Sequence, residues 1–128
     1  MTQTIVIVED DAQLRHVLEL VMLEEGFNVK LCPDGQAAID LLGAAKAAGD
    51  KLPSMIILDL NMPQVDGWAV AKWLDEDPVL GAIPVIVTSA TREQGEKAKA
   101  LHADAFLVKP FTTDEILGVV DLFSLLDS

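Results

Sequence analysis

Cysteine is almost missing from this chain: Cys32 stands alone among 128 residues, so no internal disulfide can form. Basic side chains are scarce, with nine Lys and Arg against 21 Asp and Glu, and the formal charge of −12 repels phosphate backbones and anionic lipid surfaces. Neither nucleic acid nor a membrane is therefore an expected partner. No uncharged apolar run approaches the roughly 18 residues that a membrane span needs. The opening stretch MTQTIVIVEDD has neither the basic start nor the long apolar segment of a secretory signal, which points to a soluble, cytoplasmic protein. Histidine occurs twice, and neither His16 nor His102 has a Cys or His neighbour at metal-ligand spacing, so both read as surface or hydrogen-bonded residues rather than ligands or phosphodonors. What is present is a globular balance, 51% hydrophobic and 23% charged, at a length that suits one domain over residues 1–128.

Aliphatic and β-branched residues gather in short runs at 4–8, 28–32, 55–58, 84–87 and 105–108, each of which reads as a strand. The first, third and fourth runs are almost continuously apolar, as in central parallel strands covered on both faces. Asn28, Lys30 and Cys32 instead alternate with apolar neighbours, which suggests an edge strand. Between the runs lie helical patterns. Leu14, Val17, Leu18 and Val21 follow the i, i+3, i+4, i+7 spacing, and Gly26 closes that helix. Further helices are expected over 35–48, 66–76, 93–101 and 113–126. Regular alternation of strand and helix implies right-handed crossovers, hence an α/β, doubly wound, five-stranded parallel sheet with five helices on its two faces. The turn-rich stretches 49–53 and 77–84 each only separate a helix from the next strand, so neither marks a domain boundary.

Ligands of an open parallel sheet bind beyond the carboxyl ends of its strands. There the sequence sets Glu9 and Asp10 after the first strand, Asp59 after the third, Thr88 and Ser89 after the fourth and Lys109 after the fifth. Three unneutralised carboxylates at one sheet edge are costly, which calls for a hard divalent cation with oxygen ligands, Mg²⁺ being the common one. Together Mg²⁺ and Lys109 would offset the three charges and leave a near-neutral site able to accept a phosphoryl group. Asp59 is the natural nucleophile, and the metal, Lys109 and the Thr88 hydroxyl would stabilise the oxygens of an aspartyl phosphate. Taken singly, these residues have plainer readings: Asp10 or Asp11 as a helix N-cap, Lys109 as a solvated lysine, Thr88 as a half-buried strand threonine. Asp11 is expected to be only a cap. Matching groups at four strand ends of one sheet shift the balance toward a site. Trp68 and Trp73 are spaced for packing rather than for stacking bases.

These motifs resemble the receiver domains of two-component response regulators, with single-domain chemotaxis and sporulation regulators as the nearest shape, over Ile5 to about Phe123. IVIVEDD carries that family's acidic pair, IILDLNMPQVDGW its phosphoacceptor segment, VIVTSA its threonine followed by a small residue, and FLVKPF its lysine and proline. The resemblance implies a flavodoxin-like receiver fold with strand order 2-1-3-4-5. It implies that Asp59 is phosphorylated by a histidine kinase or phosphotransfer protein. It further implies that Asp10, Asp59 and the carbonyl of Asn61 bind Mg²⁺ with Glu9 assisting through water, that Thr88 and Lys109 contact the phosphoryl group, and that the Lys109-Pro110 bond is cis. Phe106 stands at the family's rotating aromatic, where the tyrosine version would add a hydroxyl, and Thr88 and Phe106 form the expected switch. Met62 and Pro63 shape the loop after Asp59.

The resulting expectation is a binding module switched by phosphorylation, which catalyses only its own phosphorylation and dephosphorylation. A rival is an aspartyl-phosphate-forming phosphohydrolase resembling the haloacid dehalogenase group, but Asp59-Leu60-Asn61 lacks the second acid that would act as general acid/base there. A flavin site is disfavoured because Glu9-Asp10-Asp11 would repel the cofactor phosphate. The kinase is expected to dock on Leu14, Val17 or Leu18 together with Pro110 and Phe111, because Leu20, Met22 and Leu23 widen the apolar arc of the first helix beyond one buried stripe. Output to an unknown downstream protein, or to a second copy in a homodimer, is expected on the face of the fourth helix, fifth strand and fifth helix, with Leu117 and Leu122 as contacts. Receivers of winged-helix transcription factors resemble one another in pairing basic and acidic residues on that face, and the last helix here has no Lys or Arg. Whether the natural chain continues past Ser128, as an excised receiver of a larger regulator would, stays open, as does the cognate kinase.

Overall fold

A computed structural model describes residues 3–126. Strands β1 (Thr4–Val8), β2 (Asn28–Cys32), β3 (Met55–Asp59), β4 (Val85–Ser89) and β5 (Ala105–Val108) alternate with helices α1 (Ala12–Glu24), α2 (Gly35–Ala48), α3 (Gly67–Asp75), α4 (Arg92–Leu101) and α5 (Thr113–Leu126). Every strand pair is parallel, and the order across the sheet is β2-β1-β3-β4-β5. The chain thus winds outward from β1 to β2, then crosses back to β3. At this reversal the loops after β1 and β3 part to opposite sides, opening a crevice at the carboxyl edge of the sheet.

Strand periodicity explains how both faces are covered. Val6, Val8, Ile56, Leu58, Val85 and Val87 pack toward Leu42 of α2, Val70 and Leu74 of α3 and Ala98 of α4. Ile5, Ile7, Met55, Ile57 and Ile86 point the other way, onto Leu18 and Met22 of α1 and Ile116 and Val120 of α5. Alternate residues therefore feed two separate cores, which is why these strands read as unbroken apolar runs. Each such side chain contributes about 1.5–3 kcal/mol on leaving water, so the sheet is a rigid platform for its edge.

Several local expectations need correction. β3 extends through Asp59 and β4 runs from Val85 to Ser89, so Asp59, Thr88 and Ser89 lie within the sheet rather than after it. The reason is register: Asp59 pairs with Thr88, and Ser89 with Val108. Helix α3 starts after Asp66, whose side chain accepts from Ala69 N, and α4 starts after Thr91, which caps Gln94 N. The stretch 77–84 is more than a turn. The Asp77 carboxylate pairs with Lys46 and accepts from the amides of Val79 and Leu80, starting a 3-10 turn at Leu80–Ala82 that buries Leu80. The Lys46 ammonium and these amides hold the Asp77 carboxyl down at about 2. β2 is an edge strand, as its alternation suggested, and its faces are unequally covered: Cys32 is 2% exposed in the core, whereas Leu31 is 37% exposed. Burial pushes the Cys32 thiol up to about 11, aided by the nearby Asp34 charge.

The tryptophans and histidines behave as expected. Trp68 and Trp73 pack half-buried against the α2–α4 layer. His16 lies exposed beside Glu19, and His102 Nδ1 is 3.0 Å from Asp75 Oδ2.

Two glycines provide a stability test with opposite signs. A Cβ at Gly67 would lie 2.2 Å from the Asp59 carbonyl oxygen, because α3 begins pressed against the end of β3. At Gly118, inside α5, a Cβ would meet nothing within 4 Å. Gly67→Ala should lose about 1–3 kcal/mol through forced backbone displacement. Gly118→Ala should gain about 0.5–1 kcal/mol of helix stability. Urea unfolding of both variants measures the pair, and a neutral Gly67→Ala would contradict the close approach.

Candidate functional site

β1 delivers its acids through a short, well-tethered turn. Glu9 N donates to the Cys32 carbonyl at 3.1 Å, prolonging the β1–β2 ladder by one bond. The next residues turn into α1, where Asp11 Oδ1 accepts from Gln13 N at 2.9 Å and Leu14 N at 3.2 Å. Asp11 is thus the N-cap expected of it. Its own amide donates to Glu9 Oε2 at 3.1 Å, turning the Glu9 carboxylate inward. At the end of β3, Asn61 N donates to Asp59 Oδ1 at 3.0 Å. β5 supplies Lys109, whose amide donates to the Ser89 carbonyl at 2.8 Å and which precedes a cis Lys109-Pro110 peptide.

These tethers bring the charges together. Lys109 Nζ lies 2.9 Å from Glu9 Oε1 and 3.1 Å from Asp59 Oδ2, so one ammonium bridges two carboxylates that are each only 1% exposed. Asp10 is exposed at the mouth, and one carboxylate oxygen from each of Glu9, Asp10 and Asp59 fits within 4.8 Å of the others. Against three carboxylates, one ammonium leaves a surplus of two negative charges if all are ionised. Burial, with the Asp59 charge adding to it, pushes the Glu9 carboxyl up to about 7, against the pull of the Asp11 amide and Lys109. Burial also works against a charged Lys109, but Glu9 and Asp59 outweigh it and raise the ammonium's pKa.

Thr88 completes the set. Its Oγ1 is buried and has no hydrogen-bond partner among the described residues. A buried hydroxyl left unpaired is expensive, and this one stands in register with Asp59. Surplus negative charge and an orphaned hydroxyl in one crevice fit a divalent cation plus a group bearing acceptor oxygens. Receiver domains bind Mg²⁺ in an acidic pocket, and this cluster has the donor chemistry for it. Ser89 does not join the site: its hydroxyl donates to the Thr91 carbonyl at 2.8 Å, supporting the start of α4.

Three features escaped sequence reasoning. Asn61 was expected to act through its carbonyl, yet its side-chain Oδ1 also accepts from Ala90 N at 3.1 Å, tying the loop after β3 to the loop after β4. Arg15 Nη1 donates to the Glu9 carbonyl at 2.9 Å, and its position one turn into α1 was the available signal. Gly95 makes room for Phe106: a Cβ there would fall 2.2 Å from the ring, which Arg92 approaches at 5.8 Å from the centroid.

The expected docking residues divide. Leu14, Ala90, Lys109, Pro110 and Phe111 line one groove beside the crevice, and Val17 is 50% exposed. Leu18 faces the core at 2% exposure and is removed from the contact set. On α5, Leu122 is 56% exposed, but Leu117 packs partly against the core, so a change there would also perturb folding.

Comparison with known proteins gives a consistent picture. The family model of the response regulator receiver domain matches residues 5–121. The response regulator PleD of Caulobacter vibrioides is 35% identical over 112 residues, covering 86% of this chain and 23% of PleD. Response regulator MprA of Mycolicibacterium vanbaalenii is 33% identical over 120 residues, covering 92% of this chain and 48% of MprA. The crystal structure of the signal receiver domain of a signal transduction histidine kinase from Syntrophus aciditrophicus matches with a TM-score of 0.82 at 28% identity, covering 95% of this chain and 89% of that one. The chain therefore spans about half the length of MprA and about a quarter of PleD.

The Glu9 environment predicts a pH dependence of folding in the absence of divalent cations. A carboxyl moved from 4.5 to about 7 adds stability below pH 4.5 that is lost as pH rises through 7. Its full span is about 3 kcal/mol. Glu9→Gln removes the titrating group, so the difference in unfolding free energy between wild type and variant should shift toward the variant as pH rises from 4.5 to 7.5 in EDTA. A pH-independent difference would show that Glu9 titrates normally.

Proposed function

This chain belongs to the response regulator receiver domain family, and from that premise we propose that it is switched by transfer of a phosphoryl group from a histidine kinase or histidine phosphotransfer protein to Asp59. Receiver domains are signalling modules that take phosphate from histidine kinases and act on downstream targets. The observation that carries the assignment to Asp59 is its setting: a buried carboxylate bridged by Lys109, beside two further acids and in register with an unpaired Thr88 hydroxyl.

An Asp59 carboxylate oxygen attacks the phosphorus of the donor phosphohistidine. The new P–O bond forms as the P–N bond breaks, and the imidazole nitrogen leaves with the bonding pair. Lys109 follows the charge, exchanging part of its ion pairing for a phosphoryl oxygen, and the Thr88 hydroxyl donates to another. Asp10, Asp59 and the main-chain carbonyl of Asn61 would hold Mg²⁺, with Glu9 assisting through water. When bound, Mg²⁺ supplies the positive charge that offsets the surplus carboxylate and the developing phosphoryl charge. The surrounding residues 1–128 act as one receiver domain. Loss of phosphate runs through the same groups, so the only reaction catalysed is on the chain itself.

Output follows from the neighbours of Thr88. As its hydroxyl turns to the phosphoryl group, Phe106 repacks in the slot beside Gly95, altering the α4–β5–α5 surface. That surface presents Leu122, and it contacts a downstream protein or a second copy of the chain.

Asp59→Asn should abolish uptake of acid-labile phosphate from a phosphohistidine donor, and uptake at the wild-type rate would remove the assignment. Asp10→Ala should weaken Mg²⁺ binding by about tenfold or more. Mg²⁺ affinity should fall as pH drops through about 7, where Glu9 takes up a proton that the cation must displace. Isothermal titration at several pH values measures both.

The output face has a separate test. Leu122→Glu should leave small-donor phosphorylation intact and reduce phosphorylation-dependent association, read by sedimentation with and without a phosphoryl mimic. Indifference of association with target or self would place the output elsewhere.

A further inference from the structure

We propose that Arg15 is a positioning residue for the divalent-cation site: its guanidinium clamps the main-chain carbonyls of Glu9 and Asp10 and thereby sets where the Asp10 carboxylate stands. The inference rests on the reading of Glu9, Asp10 and Asp59 as a cation site.

Asp10 poses the problem. Glu9 and Asp59 are buried and tied by Lys109 and by main-chain amides, but Asp10 is exposed, and among the described residues no hydrogen bond or ion pair holds its carboxylate. A free side chain can be aimed only by its own backbone. For a ligand that loses rotamer freedom on binding, an uncertain backbone would add to the entropic cost.

Arg15 supplies the missing constraint. Its amide donates to the Asp11 carbonyl at 2.9 Å, closing the first turn of α1, and its side chain runs back toward the helix start, as helical side chains do. Nη1 then donates to Glu9 O at 2.9 Å and, more weakly, reaches Asp10 O at 3.4 Å. One guanidinium nitrogen thus spans two successive carbonyls of the very residues whose carboxylates define the crevice. The two hydrogens fixed in the guanidinium plane on that nitrogen suit this better than a lysine, whose ammonium is a mobile point charge on a flexible stem.

Arg15 also pairs with no carboxylate within 4.0 Å among the described residues. Its positive charge therefore opposes a second cation, while its clamp favours one. These two effects have opposite signs, which makes them separable. If Arg15 acted only as a charge, removing it would tighten Mg²⁺ binding. If it positions the loop, removing it weakens binding despite the gain in electrostatic attraction.

The test is isothermal titration of Mg²⁺ into the metal-free full chain as wild type, Arg15→Ala and Arg15→Lys, at a temperature well below the melting point of each. Arg15→Ala should bind about tenfold more weakly. Arg15→Lys, which keeps the charge and one donor, should recover only part of that loss. Melting in EDTA reports the fold, and the loss of affinity should persist at temperatures where all three proteins are fully folded. Equal or tighter Mg²⁺ binding by Arg15→Ala overturns the proposal. A wild type with no saturable Mg²⁺ binding instead overturns the cation site on which it rests.

Discussion

Lys109 holding Glu9 and Asp59 together is the contact on which the rest of the molecule depends. Two carboxylates with almost no exposure are costly side by side without a counter-charge or a shared proton, and removal of one partner from such a group costs several kcal/mol. The fold is arranged to keep that ammonium in place. Lys109 directly follows the last strand of the sheet, its amide is locked to Ser89, and the chain turns away immediately through a cis bond. Three strands, β1, β3 and β5, therefore meet electrostatically at one point although β4 lies between two of them.

The same contact makes the site responsive. An ammonium shared between two acids can be drawn toward a new anion at modest cost, because neither carboxylate has it exclusively. Thr88 adds the complementary element, a buried hydroxyl with nothing to donate to. A crevice with a movable cation and an unused donor is incomplete by construction of its chemistry, and the proposed phosphoryl group would complete it. Phe106 lies behind it, on the neighbouring strand, in the space left by the missing side chain of Gly95.

Much of this was legible in the sequence because the strands are short, apolar and terminated by chemically conspicuous residues. The positions of Glu9, Asp10, Asp59, Thr88 and Lys109 follow from strand ends alone once the sheet is known to be parallel, and the strand order came from the resemblance of the motifs. The unequal cover of Cys32 and Leu31 was not legible, because alternation identifies two faces without saying which is covered. Leu18 and Leu117 could not be told from their exposed neighbours on α1 and α5, since both helices are apolar beyond one stripe and only packing divides the arc. The roles of Arg15 and of the Asn61 amide were missed for a different reason, although the place of Arg15 one turn into α1 was a weak signal. Each works by bonding the backbone, and a carbonyl or amide carries no signature in the amino-acid sequence.

The edge position of β2 has a consequence for how copies of this chain meet. A parallel sheet of this order has two unpaired borders, each offering main-chain donors and acceptors to any passing strand. β5 is four residues long and leads at once into Pro110, which has no N–H to extend a ladder. Lys30 of β2 is exposed at that border, and the whole chain carries a charge of −12 that keeps like molecules apart. Strand-to-strand fusion is thereby discouraged at both borders, leaving helical surfaces as the places where a reversible, signal-dependent encounter can be built without risking a permanent cross-β one.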